Sequence, residues 1–444
     1  MVQNKLDQDF GVLSLLKFTA PSIIMLVFIS MYVMVDAVFV SNFVGSDALS
    51  ALNIVYPVTS VVLAVSVMLA TGGGAIIAKN MGEGKGQEAR EKFSLLIWTG
   101  LAMGLVLTVF GLVFLDPLLH LMGATPKLWD YCRDYIVILI LATPFYIFQL
   151  LFQTFMVTAG KPNLGLGMTV VGGLANVVLD YLFIVRFGWG VQGAAVATSI
   201  GYALPAVYGL VYFAVCRHGT LYLVKPRWNK RFLLHSCANG SSEMVTNLAV
   251  AITTFLFNIM MLHYVGEDGV AAITIVLYAQ FLMTSVFMGY SGGVAPIISY
   301  NFGCDNTARQ KKLFKIGMGF VGTVSVLVFV LSLVFKDYVI GIFTRPDSPV
   351  FPLTRHGFVI FSISFLFTGL NIYASSMFTA FSNGLVSAII SFLRTFLFLA
   401  VCLILLPLAF GQDGIWWAVP VAEGLGAVVV LWFFRKLKGE YHYI

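Results

Sequence analysis

The chain has 444 residues, of which 59% are hydrophobic and only 10% charged, and its mean hydropathy is +0.93. Soluble domains carry about 25% charged residues, so the composition sets aside soluble folds and points to an all-α polytopic membrane protein. The net charge of +6 is no nucleic-acid signature, because the basic residues are distributed as membrane loops require.

Apolar stretches able to cross a bilayer, each about 20 residues, recur along the whole chain. Twelve are predicted, near 18–40, 49–78, 93–115, 135–159, 164–185, 190–215, 233–264, 270–300, 316–335, 356–380, 385–409 and 414–434. The opening MVQNKLDQDFGVLSLLK lacks a short apolar core with a small-residue cleavage site, so no removable signal peptide is expected. The first span holds Pro21 and, fifteen residues later, Asp36. Pro21 frees a carbonyl, which makes it either a hinge or a static kink. Asp36 has no lysine or arginine near it in sequence. An acid at the centre of a membrane helix costs roughly 2.5–3.5 kcal/mol, so its default reading is functional.

The fifth span, GGLANVVLDYLF, places Asn176 and Asp180 four residues apart on one helical face. Gly172, one turn earlier, leaves room for a close neighbour. Thr198 lies about two turns into the sixth span. With Asp36 these groups are expected at similar depth in the outer half of the bilayer. Two carboxylates, a carboxamide and a hydroxyl suit a hard cation such as Na⁺. They suit a proton equally, because adjacent carboxylates share one proton more readily than they carry two charges.

The stretch RHGTLYLVKPRWNKR at 217–231 divides two sets of six spans. The expected organisation is an N-terminal lobe at 1–216, a linker at 217–232 and a C-terminal lobe at 233–444. Buried charges in the second lobe are Glu243, Arg394 and Glu423, all near the bilayer midplane. Arg394 can pair with either acid or both, locking the lobe, or an acid can serve as a substrate counter-ion. Phe, Met and Tyr number 39, 17 and 18. Around a cavity such side chains suit flat organic cations, and Tyr278, Tyr290 and Tyr300 are the candidate contacts. The five cysteines are scattered and form neither a disulfide framework nor a metal motif.

The halves are duplicated. VGSDALSALNIVYP at 44–57 aligns without gaps to VGEDGVAAITIVLY at 265–278, and the same shift carries GGGAIIAKNMG at 72–82 onto GVAPIISYNFG at 293–303. Gly45/Gly266, Asp47/Asp268, Asn80/Asn301 and Gly82/Gly303 are among the identities. Through this and a weaker match in the sixth spans, Asp36 falls on Phe257, Asn176 on Ala400, Asp180 on Ile404 and Thr198 on Ala422. The acidic cluster therefore belongs to one half. Parallel repeats of this kind relate the two halves of many transporters. Of the 26 Lys and Arg residues, 19 fall at the ends that would face the cytoplasm if the N-terminus does, which places both termini inside by the positive-inside rule.

The proline-to-aspartate first span (PSIIMLVFISMYVMVDAVFV), VGSDALSALNIVYP, GGGAIIAKNMGEGK, KPN before ANVVLDYLFI, and GWGVQGAAVAT occur in an order that resembles the multidrug and toxic compound extrusion (MATE) family over nearly the whole chain. The resemblance implies twelve helices in two six-helix bundles and a coupling-cation site in the N-terminal lobe at Asp36, Asn176, Asp180 and Thr198. It implies an H⁺- or Na⁺-coupled antiporter that exports cationic, amphipathic compounds across the inner membrane. A flippase for lipid-linked saccharides is the alternative on the same fold. No HExxH, aspartate-rich diphosphate motif or Ser/His/Asp set lies at membrane depth, so catalysis is not expected. The expected partners are small organic cations and the bilayer, with no nucleic acid. No cofactor is expected beyond the coupling ion, and the chain is read as a monomer.

Overall fold

The computed structural model describes residues 5–443, apart from the side chains of residues 37, 38, 41, 42, 46, 47 and 49. The Asp47 side chain of the repeat therefore lies outside the described residues. The first lobe contains α1 (Val12–Phe39), α2 (Ser46–Gly82), α3 (Gly86–Val113), a short α4 (Leu115–Leu121), α5 (Trp129–Thr158), α6 (Pro162–Asp180) and α7 (Gly190–Val215). An extended segment at 216–229 leads to α8 (Lys230–Tyr264), whose first turn is capped by Asn229 Oδ1 accepting from the Phe232 amide at 2.9 Å. The second lobe continues with α9 (Glu267–Gly303), α10 (Thr307–Phe343), α11 (Val350–Ser362), α12 (Phe365–Ala380), α13 (Gly384–Phe392), α14 (Leu399–Phe410) and α15 (Gln412–Tyr441).

Among the described residues, eleven helices are long and apolar enough to cross a membrane, and the bent pair α11–α12, taken as one span, makes a twelfth. The tenth predicted span is thus broken, with a bend of 52°. No proline or glycine causes it. The Ser362 hydroxyl donates back to the Phe358 carbonyl at 2.6 Å, and the backbone around residues 363–367 tightens to i→i−3 bonds. A side chain competing for the helical ladder is a recognised cause of such bends.

The duplication has a structural reason at its glycines. Gly45 (φ +117°) and Gly266 (φ +92°) occupy equivalent places before α2 and α9. Both adopt backbone conformations that other residues enter at a steric cost. The lobes meet through paired crossings, α1 on α9 and α8 on α2. At the second crossing a Cβ on Gly72 would overlap the Ser236 carbonyl and the Gly240 backbone, so no larger residue fits.

Three apolar cores result. One joins both lobes at the end that carries the termini, running from Leu6 and Leu69 through Ile297 and Phe378 to Tyr443. At the opposite end the core divides. One part, around Val55, Ile136 and Ala195, belongs to the first lobe; the other, around Phe257, Ile273 and Trp416, belongs to the second. The two lobes are therefore fused at the termini end and packed separately at the far end. α1 runs through Pro21 without interruption. In this conformation Pro21 is not a break.

Candidate functional site

The residues expected from sequence lie at the far end of the first lobe, Asp36 on α1, Asn176 and Asp180 on α6, and Thr198 on α7. Asp180 is fully buried and Asn176 nearly so, while Asp36 and Thr198 are half-buried. α6 and α7 approach closely because a Cβ on Gly172 would come within 2.7 Å of the Gly201 carbonyl. That packing lets Asn176 Nδ2 donate to Thr198 Oγ1 at 3.4 Å. Helix α6 passes at Asp180 into a π-helical turn, Tyr181–Arg186, and α1 passes into another, Val40–Val44, shortly after Asp36. Such widened turns recur at functional sites.

The two carboxyl groups lie within hydrogen-bonding reach of each other. Yet Asp36 Oδ1 and both Asp180 oxygens receive no donor, and no described ion pair includes either acid. Two ionised carboxylates are both acceptors and repel, so they can face each other in an apolar bundle only by sharing a proton or a cation. The oxygen chemistry of these side chains suits either ion. Sodium would be met by carboxylate, hydroxyl and carboxamide oxygens from α1, α6 and α7.

Sequence reasoning missed the shell around these acids. Tyr32, Tyr135 and Tyr202 are all close enough to Asp36 to interact electrostatically, and Tyr135 also senses Asp180. Tyr202 stacks on Tyr146 with ring centroids 4.4 Å apart. Those two line a cavity of about 20 Å³, room for roughly one water. Helical spacing carried the signal: Tyr32 precedes Asp36 by four residues, and Tyr202 follows Thr198 by four.

In the second lobe, Arg394 Nη1 donates to Glu423 Oε1 at 2.8 Å, and both side chains are 8% exposed. Asn371, not singled out from sequence, donates through Nδ2 to Glu423 Oε2 at 2.6 Å and to the Glu423 carbonyl at 2.9 Å. Glu243 feels the Arg394 charge but is in no described ion pair with it. Arg394 thus pairs with one acid rather than two. It also sits in a π-helical turn, Leu393–Phe398.

The three candidate tyrosines separate. Tyr278 is half-buried, stacks on Phe343 at 6.1 Å, and lies near Tyr56 of the first lobe. Tyr290 is fully enclosed, 4.0 Å from the Phe320 ring and 6.1 Å from that of Tyr373, so it is a core residue. Tyr300 is also buried, at the termini end, with its carbonyl against Gly82. The structure brings neither of these two to the acid pair.

Comparison with known proteins agrees with this architecture. The sequence model of the MatE family matches residues 21–182 and again 244–404, once in each half. The multidrug export protein MepA of Staphylococcus aureus (strain MRSA252) is 25% identical over 435 residues, covering 96% of this chain and 94% of its own. A crystal structure of MATE in complex with MaL6 superimposes with a TM-score of 0.94 at 19% identity, over 99% of both chains. A multidrug resistance MATE family transporter of the MOP superfamily in its outward-facing conformation gives 0.90 at 21% identity, over 96% of this chain and 95% of that one. With matches in both lobes covering well over half its length, the chain belongs to the MatE family of membrane transporters.

Proposed function

We propose that this protein is a cation-coupled antiporter that exports amphipathic organic cations by alternating access. The observation that carries the reading is the Asp36–Asp180 pair, two carboxyl groups facing each other, with no protein donor on three of their buried oxygens. Such a pair demands a proton or sodium ion, and either is a mobile ligand. Asn176 and Thr198 complete its coordination, and Tyr32, Tyr135 and Tyr202 supply hydroxyls and aromatic faces beside it. The same aromatic wall with a net negative charge suits an organic cation through cation–π and Coulomb attraction. Tyr278, near Tyr56 across the lobe contact, is the best-placed of the candidate aromatic contacts in the second lobe.

The divided core at the far end and the fused core at the termini end describe the state open away from the termini. The positive-inside pattern of the basic loops supports cytoplasmic termini, and on that reading this is the outward-open state, in which the ion loads and substrate leaves. Coupling requires the ion to bind the two states with different affinity. Export by the MepA relative accords with this direction. The alternative, a lipid-linked saccharide flippase, needs several unneutralised cations in the cavity. Arg394, the basic residue at membrane depth, is already matched by Glu423.

The test is uptake of a fluorescent organic cation into proteoliposomes with pH and sodium gradients imposed separately. One of the gradients drives transport by the wild type. Asp36→Asn and Asp180→Asn each abolish the driven component at normal expression. Gradient-driven transport at the wild-type rate in both variants refutes the assignment.

A further inference from the structure

A second binding feature lies at the termini end, outside the transport machinery. A short 3-10 turn, Lys5–Asp7, precedes α1 and folds across the start of α10. Asp7 accepts from Arg309 Nη1 at 2.9 Å, and Asp9 accepts from Lys312 Nζ at 2.7 Å. The segment that begins the first lobe is thereby strapped to the second. These two ion pairs use two of the four cations in the ARQKKLFK opening of α10. Lys311 and Lys315 remain. They are exposed, stand one turn apart on the same face, and have no described acidic partner. Like charges at this spacing repel, and an anion held between them removes the repulsion.

Both lysines line a cleft of about 510 Å³ together with Lys312, which is paired to Asp9, and the rest of its wall is apolar: Gly11, just before α1, Val12 from α1, and Ala308 and Ile316 from α10. A basic edge over an apolar floor matches an amphiphile rather than a free ion. The depth matches as well. Residues 316–335 carry no charge, and about 20 helical residues span the roughly 30 Å hydrocarbon core. Lys315 therefore stands at the hydrocarbon boundary, with Lys311 one turn out among the headgroups. At the same end Val12 and Leu13 are 60% and 76% exposed, ready to meet acyl chains. Basic pockets beside membrane helices are suited to anionic headgroups.

We propose that Lys311 and Lys315 form a binding site for the phosphate headgroup of an anionic phospholipid, whose acyl chain lies along Val12 and Ile316. The bound lipid bridges the N-terminal strap to α10 and so favours the state in which the lobes are closed at the termini end.

The test is native mass spectrometry of the full chain released from vesicles of phosphatidylcholine mixed with phosphatidylglycerol. Wild type retains phosphatidylglycerol over phosphatidylcholine by several-fold. Lys311→Gln/Lys315→Gln lowers that preference at least fivefold, whereas Lys436→Gln/Lys438→Gln, at the end of α15, leaves it intact. Lys311→Arg/Lys315→Arg retains it, which separates loss of charge from misfolding. Wild-type retention in the glutamine pair overturns the proposal. So does displacement of the lipid by inorganic phosphate at equal molarity, which makes the site one for free phosphate.

Discussion

The Arg394–Glu423 pair allows its structural role to be measured apart from any role in transport. Arg394→Met leaves Glu423 buried with only its Asn371 bonds, at 2.6 and 2.9 Å. Removing one member of a buried ion pair costs about 3–5 kcal/mol, because the other charge is left without compensation. Glu423→Met strands Arg394, whose Nε already lacks a partner, and falls in the same range. Replacing both with methionine removes both charges together, and such apolar replacements are often neutral to stabilising. The double variant should therefore sit within about 2 kcal/mol of wild type, giving a coupling energy of several kcal/mol. Unfolding in detergent followed by tryptophan fluorescence reads this out, since Trp416 is fully buried in the same lobe. A single variant costing under about 1 kcal/mol, or a double variant as unstable as the two singles combined, refutes a locking pair. Loss of transport in a stable double variant moves Glu423 to the counter-ion role.

Three further outcomes follow from named contacts. Gly72→Leu cannot fit against Ser236 and Gly240, so it should hold the lobes apart at the termini end, abolish transport, and raise maleimide labelling of the adjacent Cys237 in a variant lacking the other cysteines; unchanged labelling and transport contradict the closure. Tyr290→Phe removes a buried hydroxyl that has no partner, so stability should change by no more than about 1 kcal/mol with transport intact, and a transport defect would return Tyr290 to the substrate path. Thr198→Ala removes one neutral oxygen from the cation shell, so the driving ion should be needed at higher concentration while the maximal rate stays near that of wild type; an unchanged ion dependence removes Thr198 from the site.

The acid pair was legible because charge in an apolar helix is costly and because helical spacing aligned Asn176 with Asp180. Its confinement to one lobe followed from the repeat, where Phe257 stands opposite Asp36. The tyrosine shell was harder to see. Eighteen tyrosines in an apolar chain give no compositional contrast, and a ring packed in a core, such as Tyr290, has the same local sequence signature as one lining a cavity. Asn371 escaped notice because an uncharged amide raises no alarm until its charged partner is placed. The bend between α11 and α12 was hidden for a related reason: FSISF contains no helix breaker, and a hydroxyl-to-carbonyl bond inside the span redirects the chain.

In the proposed cycle, Asp36 and Asp180 carry the ion that moves against the substrate. The direct measurement loads proteoliposomes with an organic cation and follows the opposing ion flux with a pH-sensitive dye and radioactive sodium. Wild type should move one of the two ions stoichiometrically against substrate, and Asp36→Asn/Asp180→Asn should move neither. Substrate-driven ion flux at the wild-type level in that double variant would show that these two acids do not carry the coupling ion.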